Sequence, residues 1–300
     1  MKQQYNKPPL KVIETKKGNI SIFSTDGKNI DAEVVKTFGE EWTKFKDYSD
    51  EEIRSAGAMY FDILNEEIIN KNTYALDIGC GTGRWTKCLA DKIGFIEAVD
   101  PSDAIFAAAD LLKEVENVRL TKASVETIPF NDETFDFVMS IGVLHHIPDT
   151  QNAITDCVKK VKTGGYFFCY LYYNLENKNI IFKFLFWLSN LTRLVVCNMP
   201  ARLKRVTCDA LAVFLYMPFI LTGRMLNFFR FKKFAEKIPL SDYTDKTFFI
   251  IRNDSLDRFG TSLEQRFSEK EVIALMEKSG LADIVVSPSS PYYHAIGRKK

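Results

Sequence analysis

The sequence predicts an α/β protein built on a doubly wound, mostly parallel sheet of seven strands. Three observations support this class. Short apolar runs alternate with helical stretches after Asn72, the first runs end in Gly or Asp, and a helix followed by two more strand-like runs lies near the end of the chain. In such a Rossmann-like sheet, the ligand site lies at the carboxyl ends of the parallel strands.

The chain starts with a segment, residues 1–65, that we expect to form a helical cap. The alternating piece Asn19–Phe23 predicts one minor hairpin strand, whereas apolar spacings of three and four predict helices over Asp31–Phe45 and Asp50–Ile69. The first of these helices carries three aromatic residues that form either a lid over a ligand or, as the helical spacing favours, a packing face: Phe38, Trp42 and Phe45.

The expected core, residues 66–174, contains five strands and three helices in alternation. Its apolar runs have the length of buried parallel strands, and the stretches between them have room for the crossover helices that parallel strands require. The strands are Tyr74–Ile78, Phe95–Val99, Val118–Thr121, Phe135–Ile141 and Tyr166–Tyr173; the helices are Gly83–Lys92, Ser102–Glu116 and Thr150–Lys162.

Residues 251–300 are expected to complete this core. Ser268 and Glu271 form a capping-box signature at the start of a helix that ends at Ser279. The last two strands follow as a predicted hairpin, Ile284–Ser287 and Tyr292–Gly297.

Composition limits the classes of protein to consider. With 300 residues, of which 46% are hydrophobic, the chain can bury a large core, and its formal charge of +1 excludes a global attraction to nucleic acid or membrane. Six cysteines without a CxxC pair and only three histidines predict no metal site and reduced thiols in a cytoplasmic protein. The polar, proline-containing segment Met1–Leu10 predicts no secretory signal.

A glycine-rich segment, Leu76–Gly83, lies where the first core strand turns into a helix. Its alternate glycines let the backbone bend tightly and leave room for a ligand. The GxGxxG pattern of dinucleotide-binding proteins fails in both registers, because Arg84 and Thr86 occupy the sixth positions. Asp77, just before the turn, disfavours a pyrophosphate and favours the ammonium and sulfonium charges of S-adenosylmethionine.

Asp100 ends the second core strand, at about the distance from the glycines at which Rossmann-like folds place a ribose-binding carboxylate. A carboxylate accepts hydrogen bonds from both vicinal hydroxyls, and Pro101 would then cover one face of the adenine. The alternative is that Asp100 only caps the helix that begins at Ser102. The nearby glycine turn favours the cofactor role.

The motifs DIGCGTG, AVD, SVETIPFNDETFDFV and VLHHI, in this order, resemble those of the class I S-adenosylmethionine-dependent methyltransferases, especially the branch of the ubiquinone and menaquinone C-methylases. The resemblance covers residues 70–175. It implies that Asp100 binds the ribose of the cofactor and that four residues of the glycine turn contact its methionine part: Asp77, Gly79, Gly81 and Gly83.

The same resemblance points to residues on the adenine side. The family usually has an Asp on the adenine amino group where this sequence has Ser124, whose hydroxyl can also accept that bond. The neighbouring Val125 is expected to contact the cofactor as well. Ile141, at the end of the fourth strand, is expected to lie near it.

His145 and His146 follow the fourth core strand, where a side chain can reach the methyl group that is transferred. Histidine suits the removal of a proton from a hydroxyl or carbon acceptor. The alternative, which is slightly favoured, is that both residues orient the loop or cap the next helix. No Asn-Pro-Pro-Tyr or Asp-Pro-Pro-Tyr piece is present at this site, so nucleic-acid amino groups are not expected acceptors.

The sequence thus predicts an enzyme, an S-adenosylmethionine-dependent methyltransferase that acts on an oxygen or carbon of a small-molecule, hydrophobic or lipid-linked acceptor. A catalytically silent cofactor-binding adaptor for a membrane or a partner protein is the alternative. A nucleotide-dependent oxidoreductase is disfavoured by Arg84 and Asp77.

Residues 175–250 interrupt the strand and helix alternation and predict a hydrophobic, basic, helical insert. Between Leu175 and Leu240 the sequence has eleven Lys or Arg and three Asp or Glu, a local charge of +8 that leaves −7 for the rest of the chain. Two apolar stretches, Ile180–Met199 and Leu211–Phe231, are interrupted by charges or a proline, so they predict amphipathic or buried helices and not clean membrane spans.

Two interpretations of this insert stay open. It either rests on an anionic membrane surface, peripheral at the inner face, and admits a hydrophobic acceptor, or it packs as a helical cap over the active site and forms a homodimer. The polar piece that follows supplies either specificity contacts or an ordinary charged loop through Asp254, Asp257, Arg258, Thr261 and Arg266.

Overall fold

The computed structural model describes residues 2–42, 49–176 and 180–300. The chain forms two compact units. The first comprises Met1–Glu176 together with Leu263–Lys300, and the second comprises Asn177–Ser262.

Within the described residues, the first unit contains a sheet of nine strands in the order β1-β2-β5-β4-β3-β6-β7-β9-β8. The central pairs from β2 to β7 are parallel, whereas β1 and β2, β7 and β9, and β8 and β9 pair antiparallel. The bounds are β1 Lys11–Thr15, β2 Gly18–Ile22, β3 Tyr74–Ile78, β4 Phe95–Asp100, β5 Val118–Lys122, β6 Phe135–Ile141, β7 Val161–Tyr170, β8 Leu281–Val286 and β9 His294–Lys299.

The sheet is larger than the predicted seven strands because an N-terminal hairpin extends its edge. Strand β2 pairs in parallel with β5 through Ser21 and Thr121, and it buries Ile20 against the core. The edge of β5 thereby gains hydrogen-bond partners that it would otherwise lack. The predicted helical cap over residues 1–65 is therefore partly sheet. The sequence signalled β2 but not its largely exposed partner β1.

In the described ranges, the first unit has six α-helices. Capping boxes start two of them, at Ser49 with Glu52 and, as predicted, at Ser268 with Glu271. The bounds are α1 Ala32–Trp42, α2 Asp50–Tyr60, α3 Arg84–Ala90, α4 Ala104–Leu111, α5 Thr150–Lys160 and, near the C-terminus, α11 Glu269–Lys278.

The predicted helix over Asp50–Ile69 is too long, because α2 ends at Tyr60. The amide of Phe61 closes the last turn by donating to the carbonyl of Gly57. The side chain of Asn65 then accepts from the amides of Glu67 and Ile68 and starts a separate turn. Asn competes in this way with helical backbone hydrogen bonds.

The hydrophobic core of the first unit lies on both faces of the sheet. Successive residues of β7 show this, since Phe167 joins the cluster on one face and Phe168 joins the cluster on the other. Both side chains are fully buried. Central parallel strands are covered on both faces, which explains why their sequences read as continuous apolar runs.

The second unit is helical. A π-helical turn over Ala212–Tyr216 joins α7 to α8, so one continuous helix runs from Arg202 to Phe228. Of the described helices, this is the one that is long and apolar enough to cross a membrane, a weak indication that rests on length and composition alone. The bounds are α6 Ile180–Val196, α7 Ala201–Leu211, α8 Met217–Phe228, α9 Lys232–Ala235 and α10 Phe248–Gly260.

Candidate functional site

The predicted cofactor residues lie at the carboxyl edge of the parallel strands in the first unit. Asp77 lies near the end of β3, Asp100 is the last residue of β4, and Ile141 is the last residue of β6. Ser124 follows β5 after one intervening residue. Because β5, β4, β3 and β6 are adjacent and parallel, their carboxyl ends meet at one edge.

The three glycines of the turn after β3 all adopt positive φ angles, between 55° and 80°. A Cβ atom on Gly79 would lie 2.4 Å from Val143 Cγ2, and one on Gly83 would lie 2.7 Å from Leu112 Cδ1. A Cβ on Gly81 would meet nothing within 4 Å. Packing therefore requires glycine at the outer two positions, whereas Gly81 borders open space, as close approach of a ligand requires.

Asp100 joins the end of β4 to this turn. Its Oδ2 accepts from the amide of Gly81 at 2.8 Å, and its Oδ1 accepts from the amide and the hydroxyl of Ser102 at 2.8 and 2.6 Å. Burial raises the pKa of the Asp100 carboxyl above its usual value, against these hydrogen bonds. Helix α4 starts later, with Asp103 at its N-cap, so Asp100 does not itself cap that helix.

The carboxylate of Asp100 is thus largely occupied by protein donors. Oδ1 has both lone pairs engaged, and Oδ2 keeps one for a further donor. We therefore expect Asp100 to accept one ribose hydroxyl without rearrangement, not both. Pro101 follows it and is half-buried.

Asp77 is buried beneath the turn, and its Oδ2 accepts from the hydroxyl of Thr86 at 2.5 Å. Burial raises the pKa of Asp77 to about 7, with the hydrogen bond from Thr86 opposing the rise and the charge of Asp100 adding to it. A nearby cation would favour the charged carboxylate. The residues of the turn therefore fit a positively charged ligand better than a diphosphate.

Ser124 is buried, and its hydroxyl lies 2.9 Å from that of Thr127. Thr127 donates its own proton to the carbonyl of Ser24 at 2.5 Å, so Ser124 donates to Thr127 and keeps its lone pairs as acceptors. This arrangement suits the acceptor role toward an amino group. Val125 is half-buried against the core, and Ile141 is buried.

His145 lies in a 3₁₀ turn over Leu144–His146 and is fully buried. Its ring stacks on Tyr172, with the ring centroids 3.8 Å apart. Burial holds the pKa of His145 well below its usual value, and the charges of His146 and Arg266 add to this effect. Neither ring nitrogen has a hydrogen-bond partner among the described residues, so the imidazole is neutral and unsatisfied, which is costly in a protein interior.

His146 lies in the same turn and is better suited to accept a proton. Its Nδ1 lies 2.7 Å from the carbonyl oxygen of Leu263. Because a carbonyl only accepts, the proton is on Nδ1 and the lone pair is on Nε2. The ring of Phe38 lies 5.0 Å from the ring of His146, so this aromatic residue of α1 packs against the candidate base. Phe45 and the side chain of Trp42 lie outside the described residues.

The structure adds tyrosines that the sequence reasoning missed. The ring of Tyr60 lies 4.6 Å from that of Trp85 and 5.1 Å from that of Tyr170. The side chain of Arg266 lies over Tyr172, 5.0 Å from the ring centroid. Tyr170 and Tyr172 alternate at the carboxyl end of β7, a signal that could have identified them from the sequence.

A hydrogen-bonded pair of the buried His294 and the partly exposed Asp62 lies close to these tyrosines. His294 Nδ1 donates to the carbonyl of Pro291 at 2.7 Å, and its Nε2 lies 2.5 Å from Asp62 Oδ1. Burial acts to raise the pKa of Asp62, but hydrogen bonds from His294 and Ser287 bring it below its usual value. The ring of His294 lies 6.3 Å from that of Tyr60 between ring centroids.

The remaining predicted polar residues separate between the two units. Arg266 belongs to the first unit, whereas the others belong to the second: Asp254, Asp257, Arg258 and Thr261. Across the described parts of the chain, no group of three or more His, Cys, Asp or Glu side chains could hold a metal ion. All six cysteines are free thiols.

Residues 76–169 match the family model described as a methyltransferase domain. Ubiquinone biosynthesis O-methyltransferase from Coxiella burnetii is 27% identical over 151 residues, which cover 47% of this chain and 63% of that protein. Demethylmenaquinone methyltransferase from Staphylococcus aureus is 32% identical over 111 residues, which cover 36% of this chain and 46% of that protein.

The matched segments thus span less than two thirds of the length of these relatives. Among solved structures, the YcgJ protein from Bacillus subtilis is similar with a TM-score of 0.45 and 14% sequence identity. The similarity covers 77% of this chain and 93% of that one.

Proposed function

We propose that this chain, whose residues 76–169 match a methyltransferase domain, transfers the methyl group of S-adenosylmethionine to an oxygen or carbon of a small hydrophobic acceptor. Two buried carboxylates, Asp77 and Asp100, lie beside a glycine turn that is open at Gly81. This combination of negative charge and open backbone is the observation that carries the proposal.

Different residues at this edge would bind different parts of the cofactor. Asp77 and the glycine turn would hold the cationic methionine part, Asp100 a ribose hydroxyl, and Ser124 the adenine amino group. When bound, S-adenosylmethionine supplies an electrophilic methyl group on a positively charged sulfur. The protein then has to align the acceptor and remove its proton.

We assign the removal of the acceptor's proton to His146. Its Nδ1–H donates a hydrogen bond to the carbonyl oxygen of Leu263, which leaves the Nε2 lone pair as the basic site. His145 is unsuited to gaining a proton, because burial disfavours its charged form. We assign it a positioning role through its stack on Tyr172.

Two observations support a hydrophobic acceptor: aromatic side chains surround the histidines, and the matched relatives are named for quinone substrates or pathways. Phe38 contacts His146, and Tyr172 contacts His145. The relatives from Coxiella burnetii and Staphylococcus aureus are named as methyltransferases of ubiquinone biosynthesis and of demethylmenaquinone. An aromatic or quinone-like acceptor, including a lipid-linked one, is therefore the first class to test.

Calorimetry with the Gly81→Val variant tests the cofactor site. A valine at φ +55° is strained, and its side chain enters the open space that we assign to the ligand. We expect at least a hundredfold loss of affinity for S-adenosylmethionine. Unchanged affinity in a folded Gly81→Val protein would refute the site.

Release of S-adenosylhomocysteine in the presence of cell extract separates catalysis from binding. Product formation supports the methyltransferase. Tight binding of the donor without any turnover would instead favour the cofactor-binding adaptor. Mass spectrometry after incubation with an isotopically labelled methyl donor would identify the acceptor.

A further inference from the structure

The second unit carries an unusual share of exposed apolar surface. Of the large apolar side chains that are exposed in the described ranges, all but Leu10, Val12, Met59 and Val285 belong to this unit. Exposed apolar side chains gathered in one part of a protein are typical of sites that contact a partner or a membrane.

Helix α6 exposes a stripe of apolar side chains. Seven of its exposed residues are apolar and recur at spacings of three and four, Lys183 is exposed beside them, and Trp187 in the middle of this stripe is 55% exposed. The stripe comprises Ile180, Phe184, Trp187, Leu188, Leu191, Leu194 and Val195.

The opposite face of α6 turns polar groups inward. Arg193 is only 7% exposed, and its guanidinium donates to the carbonyls of Thr261 and Ser262, each at 2.9 Å. It also donates to the side chain of Asn190. A buried arginine opposite an exposed apolar stripe suits apolar surroundings, because polar groups there must find partners within the protein.

Other polar contacts, partly exposed, also join helices of the second unit. Arg252 donates twice to the carboxylate of Asp209, at 2.8 and 2.5 Å. Tyr243 donates to Asp254 at 2.6 Å. Polar side chains therefore help to join its helices, alongside buried apolar residues such as Ile220 and Phe259, while many other Leu and Phe side chains are exposed.

A basic and aromatic segment follows the long helix. Within residues 228–237, four exposed Phe side chains alternate with four exposed Lys or Arg side chains, and Glu236 is the one acidic residue. Phe228 is 82% exposed. Phenyl rings insert at the boundary of headgroups and acyl chains, and cations pair with anionic headgroups. The segment contains Phe228, Phe229, Arg230, Phe231, Lys232, Lys233, Phe234 and Lys237.

We propose that the second unit docks on an anionic membrane surface, with the α6 stripe and the segment 228–237 in contact with lipid. The positive charge of the segment selects anionic headgroups, and the outward apolar side chains supply the burial. This inference rests on the second unit alone and does not depend on methyl transfer.

Flotation of the full chain with vesicles tests the proposal. The probes are vesicles of phosphatidylcholine alone and of phosphatidylcholine mixed with phosphatidylglycerol. We expect binding to the anionic vesicles that weakens as salt is raised. The double variants Lys232→Glu/Lys233→Glu and Phe228→Ser/Phe234→Ser should each bind at least tenfold more weakly.

A matched control comes from the first unit. Leu10→Ser/Val12→Ser removes exposed apolar side chains of the hairpin and should leave vesicle binding unchanged. Cofactor affinity of all variants, measured by calorimetry, should equal that of the wild type. That readout reports on the first unit; urea denaturation, which should give the wild-type midpoint for every variant, shows that the whole chain is folded and needs no cofactor.

Two results would overturn the proposal. One is failure of the expected flotation pattern: either the wild-type protein does not float with anionic vesicles, or the variants float as well as the wild type. The other is a stable dimer by light scattering without lipid, which Phe228→Ser/Phe234→Ser converts to a monomer while no form binds vesicles. In that case the surface binds a second copy of the chain.

Discussion

The two units differ in how much apolar surface they expose, although both bury apolar side chains. In the first, Phe167 and its neighbours are buried on both faces of a sheet, and most charged groups are at the surface. In the second, Arg193 is buried while Trp187 is exposed. Since both come from one chain of nearly neutral charge, the difference indicates two environments: water around the first unit and, by our proposal, lipid beside the second.

The sharpest test of this division asks whether the chemistry lies in the first unit. His146→Ala should lower the turnover rate by about 10²- to 10⁴-fold with little change in cofactor affinity, because it removes the assigned base. His146→Gln is the matched control, since an amide still donates to Leu263 but has no basic nitrogen. Steady-state kinetics of both variants would measure this, and full turnover by either one would exclude His146 as the base.

The next largest effect compares an aromatic truncation in each unit. Phe167→Ala should lower the free energy of unfolding by about 3–5 kcal/mol, because it leaves a cavity in a close-packed core. Trp187→Ala, on the exposed stripe of α6, should change it by less than about 0.5 kcal/mol in water. Urea denaturation measures both. A large loss for Trp187→Ala would mean that the stripe is packed and that the comparison is mistaken.

The buried arginine of the second unit provides a smaller effect. Arg193→Met leaves the carbonyls of Thr261 and Ser262 without their donor and should cost about 2–3 kcal/mol. Hydrogen exchange should show this loss in the amides of α10. Lys159→Met, which removes an exposed ion pair of the first unit, should leave exchange unchanged. If the amides of α10 exchanged at the same rate in the Arg193→Met protein as in the wild type, the hydrogen bonds of the buried Arg193 would not stabilise this helix.

The smallest effect is the pH dependence of cofactor binding. Because the pKa of Asp77 is about 7 in the free protein, a cationic cofactor must displace a proton below that pH. Affinity should fall by up to tenfold per unit as the pH drops below about 7, and it should level off above. Asp77→Asn should weaken binding at pH 8 by about tenfold and abolish this slope.

The same residue makes a prediction for stability that needs no cofactor. Its pKa is raised on folding, so the protonated carboxyl is favoured in the folded protein, and the free energy of unfolding falls as the pH rises from about 4 to 7. The Asn variant should lack this part of the fall in a series of urea titrations. A slope that is identical in both proteins would show that Asp77 titrates normally.

Much of the first unit followed from local sequence patterns. Strands β3 and β6 have their predicted bounds, and the capping box at Ser268 starts its helix as predicted. These elements are determined by apolar runs and by caps that act within a few residues. The glycine turn and Asp100 were recognisable for the same reason, because their spacing along the chain is characteristic.

The sequence could not predict contacts between residues that are far apart along the chain. The pairing of β2 with β5, the contact of Phe38 with His146 and the bond from Gly81 to Asp100 all join separate segments. In the second unit the sequence determined two apolar, basic helices, but only the tertiary structure decided which face of each turned inward. That choice depends on the partners available to Arg193 and Asp209, and local pattern contains no information about them.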